Sequence, residues 1–319
     1  MKNYTFVDYA TQAYIALVGM LILFFHNDTV SSWPLRVGAH AACLLVVHGL
    51  IQLHARYGTA KLLDFLRHFY PVLLYTAFFI ETGSLNRMFF RDYLDPLVAQ
   101  WEQDLFGCQP SVLFMEKLPY LLVSELFYIS YFSYYIMISG VGLALFLRSR
   151  QQFFHYVSVV SFLFYVCYLI YAFLPVIGSR AFFRQVDGYA LPAATQQLAI
   201  TDAYPEAVQT GPFFQIMKWI YREFEAPGAA FPSSHVAVAL CTVFFSFRYL
   251  RRIRYLHLAV AIMLCLSTVY CRYHYVVDVL AGLVTAAVLI PTGNWLYFKF
   301  QKSSPGEPPN PSTSSSKAG

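Results

Sequence analysis

The chain has 319 residues, of which 58% are hydrophobic and 12% charged, and a formal net charge of +5. Soluble domains carry about 25% charged residues, so the composition excludes an ordinary soluble domain and points to an integral membrane protein. The positive charge does not point to nucleic acid: no basic tract with interleaved stacking aromatics lies outside the apolar runs, and membrane proteins gather lysine and arginine in cytoplasmic loops.

Eight apolar segments are long enough to be spans, at approximately 9–25, 36–53, 69–84, 119–147, 154–174, 232–249, 255–271 and 275–297. The expected fold is therefore an all-α, polytopic membrane helical bundle of about eight spans. No small-residue cleavage pattern follows the first segment, which reads as an uncleaved span. The first two spans form an N-terminal hairpin over 1–68, a larger membrane domain covers 69–297, and the Ser/Pro-rich 298–319 is a disordered cytoplasmic tail. The third span is the weakest, because Glu81 and Thr82 close it early. His40 and His48 read as residues packed between helices. Glu125, beside Tyr128 and Tyr131, is either a functional intramembrane carboxylate or a tyrosine-bonded structural one. The aromatic residues, 18% of the chain, read mainly as lipid-facing and interfacial packing.

Arg56, Lys61 and Arg67 follow the second span, Arg148 and Arg150 the fourth, and Arg248, Arg251, Arg252 and Arg254 the sixth. Eight alternating spans put these, the lysines of the tail and both termini on one side, which the positive-inside rule makes cytoplasmic. The intervening segments then face outward. In the first of them, 85–120, Arg91, Asp92, Asp95, Glu102 and Asp104 interleave with Leu94, Leu97, Val98, Trp101, Leu105 and Phe106, as in an amphipathic interfacial helix that ends at Gly107. In the second, 175–231, a further amphipathic helix is expected over 213–225. The six cysteines form no C-x-x-C pair, so neither a disulfide framework nor a zinc site is expected.

The residues with chemistry lie at the ends of the last spans. Phe231-Pro232-Ser233-Ser234-His235 opens one apolar run, and Cys271-Arg272-Tyr273-His274-Tyr275-Val276-Val277-Asp278 closes the return. One crossing down and one back brings His235, Arg272, His274 and Asp278 to the same outer face. His274 and Asp278 are four apart, which on a helix places them one turn apart on one face. A carboxylate there holds the ring Nδ1–H and leaves Nε2 as a nucleophile. Ser233 and Ser234 precede a helix start whose backbone N–H groups attract phosphate oxygens. Arg180, just after Pro175 and Gly178 end the fifth span, is placed to clamp a phosphate.

These three pieces resemble, in order, the motifs of the type 2 phosphatidic acid phosphatase superfamily: Lys-x6-Arg-Pro, Pro-Ser-Gly-His and Ser-Arg-x5-His-x3-Asp. Arg180 fits the first, Pro232-Ser233-Ser234-His235 the second, and Ser267, His274 and Asp278 the third. Leu174-Pro175-x-x-Gly178-Ser179-Arg180, the run from His274 to Asp278, and Asp104-Leu105-Phe106-Gly107 look most like the branch that includes inositol phosphorylceramide synthases and their bacterial relatives. The likeness covers about 155–297 and extends weakly to about 70. The chain departs from the pattern at Phe173 for the family lysine, Ala181 for its proline, Ser234 for its glycine and Thr268 for its third-motif arginine. Arg272, on the helix face of Thr268 if the helix continues, would supply the missing guanidinium.

The resemblance implies a six-helix catalytic core within 69–297, a bacterial plasma membrane and a metal-free, cofactor-free phosphoryl transfer from a lipid phosphate or phospholipid. His274 would attack phosphorus to form a phosphohistidine, Asp278 would fix its tautomer, and His235 would protonate the leaving alkoxide and then activate water or an acceptor hydroxyl. Arg180, Arg272 and the Ser233–Ser234 turn would hold the phosphate. Hydrolysis of a lipid phosphate is the first expectation. Transfer of a phosphoalcohol headgroup such as phosphoinositol is the second, and a lipid transporter that retains a degenerate site is the third.

Overall fold

The computed structural model describes residues 3–58, 60–183, 204–224 and 226–302. Among them are thirteen helices and no strand. The long ones are α1 (Phe6–Phe25), α2 (Trp33–Tyr57), α3 (Lys61–Leu85), α6 (Leu121–Arg148), α7 (Arg150–Phe173), α11 (Ser234–Tyr249), α12 (Arg254–Tyr270) and α13 (Val276–Lys302). The short ones are α4 (Asp95–Phe106), α5 (Pro110–Lys117), α8 (Ser179–Phe182), α9 (Glu206–Gln209) and α10 (Pro212–Phe224). Each expected span coincides with a long helix, and the fold is an all-α membrane bundle. Five helices, α1, α2, α6, α7 and α13, are long and apolar enough to cross a bilayer by themselves, while α11 and α12 are shorter apolar helices. The last helix runs through Lys302, into the stretch assigned to the tail; the rest of that stretch, 303–319, lies outside the described residues, as does 184–203 of the long loop.

The third span begins at Lys61 rather than near 69, because Arg67 is inside it and paired. Its guanidinium lies 2.6 Å from Asp8 of α1, whose carboxylate also accepts from Tyr70 at 2.6 Å and from the Thr5 N–H at 2.6 Å. The Asp8 carboxylate is thereby satisfied, and the Arg67 guanidinium also lies over the rings of Phe154 and Tyr70, contacts that help an ion pair removed from water. At the other end of α3, Glu81 faces His40 of α2 at 3.5 Å. The N-terminal hairpin thus meets α3 at both ends, and His40 is packed between helices as expected, against Gly19 of α1.

The centre of the bundle is α7, which packs against α1, α3, α6, α11 and α13. Its Tyr156, Phe164, Tyr165, Tyr168 and Tyr171 are all buried. These rings are core, while exposed rings such as Phe24, Tyr120, Trp219 and Trp295 fit the expected lipid-facing and interfacial packing. Buried tyrosines require hydroxyl partners, and these are on neighbouring helices: Tyr165 with Thr11 at 2.9 Å, and Tyr75 with Ser161 at 2.7 Å.

By alternation of the long helices, all five short helices lie at one end of the bundle, where α7 and α12 end and α11 and α13 begin. The arginine-rich turn between α11 and α12 lies at the other end, with Arg148 bonding the Tyr249 carbonyl at 2.6 Å. The helix at 95–106 is amphipathic as expected but with its polar face inward. Asp95 and Glu102 are fully buried beside Val98 and Ala99, whereas Leu97, Trp101 and Leu105 are exposed. The inversion fits a helix lying against apolar surroundings, with its carboxylates spent on the protein.

Candidate active site

Three chain segments meet under α4. The residues after α7 cannot continue the helix at Pro175, and the chain turns through Gly178, at φ +89°, into the short helix α8 that carries Arg180. An added Cβ at Gly178 would strike the Tyr273 carbonyl, so both the dihedral and the close approach call for glycine. Ala230 donates to the Val176 carbonyl at 2.8 Å, which aligns the chain leading into His235. Ser179 Oγ donates to the Arg272 carbonyl at 3.0 Å, and Ser233 N–H to the Asp278 carbonyl at 3.0 Å. These bonds hold the first, second and third motif segments together.

Two carboxylates of α4 complete the frame. Asp95 accepts from the N–H groups of Ile177 at 2.8 Å and Gly178 at 2.9 Å, and from the Tyr275 hydroxyl at 3.1 Å. Glu102 accepts from Val277 N–H at 3.2 Å, at the N-terminus of α13. Burial raises both carboxyls to about 7, against the opposing pull of the bonded N–H groups. Sequence reading treated both as the wet side of an interfacial helix. The available signal was their seven-residue spacing, which puts them on the face of Val98 and Ala99.

His274 lies just ahead of α13, not inside it. Its Nδ1 is 3.3 Å from Asp278 Oδ2, and the same oxygen accepts from Tyr275 N–H at 2.9 Å. Asp278 is thus an N-terminal capping carboxylate as well as the partner of the ring. The pairing read from the spacing is present, made across the helix start rather than along one face. Burial lowers the His274 ring to about 4, opposed by the backbone at Ala230, so the imidazole is neutral at physiological pH. His274 Nε2 points away from Asp278, 3.3 Å from His235 Nδ1. His235 is the second residue of α11, and its Nε2 is 3.0 Å from the Tyr131 hydroxyl.

Ser233 caps α11 by accepting from Val236 N–H at 3.4 Å. The N–H groups of Ser233 and Ser234 are both engaged, the latter with the Tyr171 hydroxyl at 3.2 Å. The two serines therefore build the turn, and Ser234 lines the cavity beside the histidines. Arg180 stacks over Tyr221 at 4.9 Å and Tyr273 at 5.6 Å, two rings that lie parallel 4.1 Å apart. This brings Arg180 to the ring next to His274.

Arg272 is placed differently from the expectation. The helix ends at Tyr270, and Arg272 takes a left-handed φ of +62°. Tyr273 N–H bonds the Thr268 carbonyl at 3.0 Å and Arg272 N–H bonds that of Val269 at 3.0 Å, a Schellman turn with arginine where glycine is usual. Arg272 and Thr268 consequently do not share a helix face. The guanidinium lies 3.9 Å from Glu116 and over the Tyr204 ring. Arg272→Gly and Arg272→Ala remove the same contacts but differ in backbone cost. The glycine variant is expected to be more stable than the alanine variant by about 1 kcal/mol in thermal unfolding in detergent. Equal stability would remove the strained-turn account.

Glu125 accepts from Phe213 N–H at 2.8 Å and Phe214 N–H at 3.2 Å, so it anchors the start of α10 through backbone rather than through a tyrosine. A cavity of about 470 Å³ begins at Ser234, His235 and His274 and runs beside Val72 and Phe79 of α3, Ile138 of α6, Phe164 of α7 and Ile220 of α10. A wider groove of about 600 Å³ between α11 and α13, at Leu240, Phe244 and Ile290, contains none of the motif residues.

A family model described as PAP2 superfamily matches residues 97–292. No curated protein and no solved structure matches the chain.

Proposed function

The chain belongs to the PAP2 superfamily, and from that membership we propose that it transfers phosphoryl groups from a lipid phosphate through a phosphohistidine. The observation that carries the lipid part is the cavity: polar at the two histidines, apolar along α3, α6, α7 and α10. A phosphate headgroup at His274 would leave its hydrocarbon chain in that apolar run.

His274 Nε2 attacks phosphorus while Asp278 holds the Nδ1–H and stabilises the positive ring that results. His235 gives a proton to the departing alkoxide, then takes one from water or an acceptor hydroxyl. Attack and departure occupy opposite sides of phosphorus, so the two ring nitrogens, 3.3 Å apart, must separate around the phosphoryl group. Arg180 neutralises charge from the Tyr221–Tyr273 platform, and Arg272 does so from its turn. A lipid alcohol in place of water turns hydrolysis into transfer, and a phosphoalcohol on the histidine turns it into headgroup transfer. The test is purified protein in mixed micelles with a long-chain lipid phosphate. Inorganic phosphate marks hydrolysis and a new phosphoester marks transfer to an added alcohol. Neither product, in a protein that moves lipid between leaflets, would favour the transporter.

The site is proposed to face away from the cytoplasm of a bacterial plasma membrane, because Arg248, Arg251, Arg252 and Arg254 lie at the opposite end. In a cysteine-free background, Thr210→Cys is expected to react with an impermeant thiol reagent on intact cells, and Arg252→Cys is not. The reverse pattern would invert the orientation.

A further inference from the structure

Tyr131 belongs to none of the sequence motifs, yet it touches the acid–base histidine. It is fully buried within α6, with its hydroxyl 3.0 Å from His235 Nε2. The same hydroxyl bonds that of Tyr221 on α10. The other nitrogen of His235, Nδ1, faces His274 Nε2 at 3.3 Å, and His274 Nδ1 faces Asp278 at 3.3 Å. Asp278, His274, His235, Tyr131 and Tyr221 thus form one hydrogen-bonded series, with each imidazole using both nitrogens. A phenylalanine would fill the space of Tyr131 against the rings of Tyr273 and His235, so the hydroxyl is what packing leaves to be explained.

We propose that Tyr131 is a positioning residue: its hydroxyl oxygen accepts the Nε2–H of His235, so that Nδ1 is the nitrogen that exchanges protons with the substrate. This rests on the phosphotransfer reading above. Tyr131 donates its own proton to the Tyr221 oxygen and keeps a lone pair for His235. In the first step, with the anionic phosphate bound beside it, His235 carries a proton on each nitrogen. The His274 Nε2 lone pair forms the N–P bond, the P–O bond to the leaving group breaks, and the Nδ1–H of His235 passes to the departing oxygen. His235 is then neutral, with its remaining proton held on Nε2 and a lone pair on Nδ1. In the second step that lone pair takes the proton of water or an alcohol as its oxygen attacks phosphorus. The N–P bond breaks, and His274 recovers its electron pair. The Nε2 proton stays in place throughout. Without the Tyr131 hydroxyl the His235 ring is no longer held with Nδ1 toward the departing oxygen, which slows the acid step, and neutral His235 is free to carry its proton on Nδ1, where it cannot act as the base.

The experiment compares wild type and Tyr131→Phe with two phosphate monoesters, a long-chain alkyl phosphate and p-nitrophenyl phosphate. The nitrophenolate departs without a proton and the alkoxide does not. In single-turnover measurements of phosphohistidine formation, the variant is expected to stay within about 3-fold of wild type on the aryl ester. On the alkyl ester it is expected to slow by at least about 10-fold, a share of what general acid catalysis contributes. Steady turnover of both esters falls, because both need the base in the second step. Tyr221→Phe is expected to give the same pattern more weakly, since Tyr131 then loses its acceptor and turns its proton toward His235. Equal slowing on both esters would reduce Tyr131 to a packing residue, and unchanged rates on both would overturn the proposal outright. Wild type that forms no phosphohistidine from either ester would instead overturn the phosphotransfer reading beneath it.

Discussion

Replacing His274 with alanine is expected to abolish turnover, by about 10⁴- to 10⁶-fold, the scale seen when a catalytic nucleophile is removed. Covalent labelling by a radiolabelled lipid phosphate should disappear with it. In the proposed mechanism the surroundings of the two rings favour His274 over His235 as the nucleophile. His274 has Asp278 behind it at 3.3 Å, which raises the electron density of Nε2 and compensates the charge of the phosphorylated ring. His235 has a neutral phenol behind it, which suits a group that gains and loses a proton. His235→Ala should therefore still become labelled by an ester with a good leaving group but fail to turn over. The alanine variant at 274 should remain folded, because the turn is held by backbone bonds: His274 N–H reaches the Thr268 carbonyl at 3.0 Å, and Tyr275 N–H keeps its bond to Asp278. Labelling that survives in a folded His274→Ala protein would move the nucleophile elsewhere.

How far the sequence carried the reading depended on the range of the interaction concerned. Spans are set by length and apolarity, which are local, so all eight lay close to their helices. The His274–Asp278 pair is also local and was legible from spacing, as was a serine cap before His235, although Ser233 supplies it and Ser234 is already in the helix. What failed was set by partners distant in the chain. Arg67 was placed in a loop because nothing near it in sequence reveals Asp8, 59 positions away. Asp95 and Glu102 were assigned to water because charge on an amphipathic helix normally faces water. Their backbone partners, at Ile177, Gly178 and Val277, come from segments that only tertiary structure brings near. Arg272 was extended along a helix face because arginine gives no sign of a left-handed turn. Tyr131 had no motif to announce it, and one tyrosine among 25 is invisible until His235 is found beside it.

Asp95→Asn is expected to lower both stability and activity, although it preserves shape. Both oxygens of Asp95 accept: Oδ2 takes the Ile177 N–H, and Oδ1 takes the Gly178 N–H and the Tyr275 hydroxyl. Asparagine retains one acceptor oxygen and turns an NH₂ group toward a buried N–H. One backbone donor is left unsatisfied against another donor, with no water in reach at a residue that is fully buried. Leaving such a group unpaired costs about 1–3 kcal/mol, and more when a charged acceptor is lost. The functional consequence follows from what hangs on the carboxylate. Ile177 and Gly178 carry the chain to Arg180, and Tyr275 adjoins His274, so one side chain fixes the proposed arginine clamp relative to the proposed nucleophile. A displacement of about 1 Å there is enough to cost about 100-fold in rate. Tyr275→Phe removes one of the three donors and leaves both backbone bonds intact, so it should cost about 1 kcal/mol and far less activity. Thermal unfolding and kcat of the two variants, measured in the same micelles, decide the matter. If α4 is only a cover over the site, Asp95→Asn and Tyr275→Phe will lose stability with kcat unchanged, and Asp95 will have no place in aligning the catalytic groups.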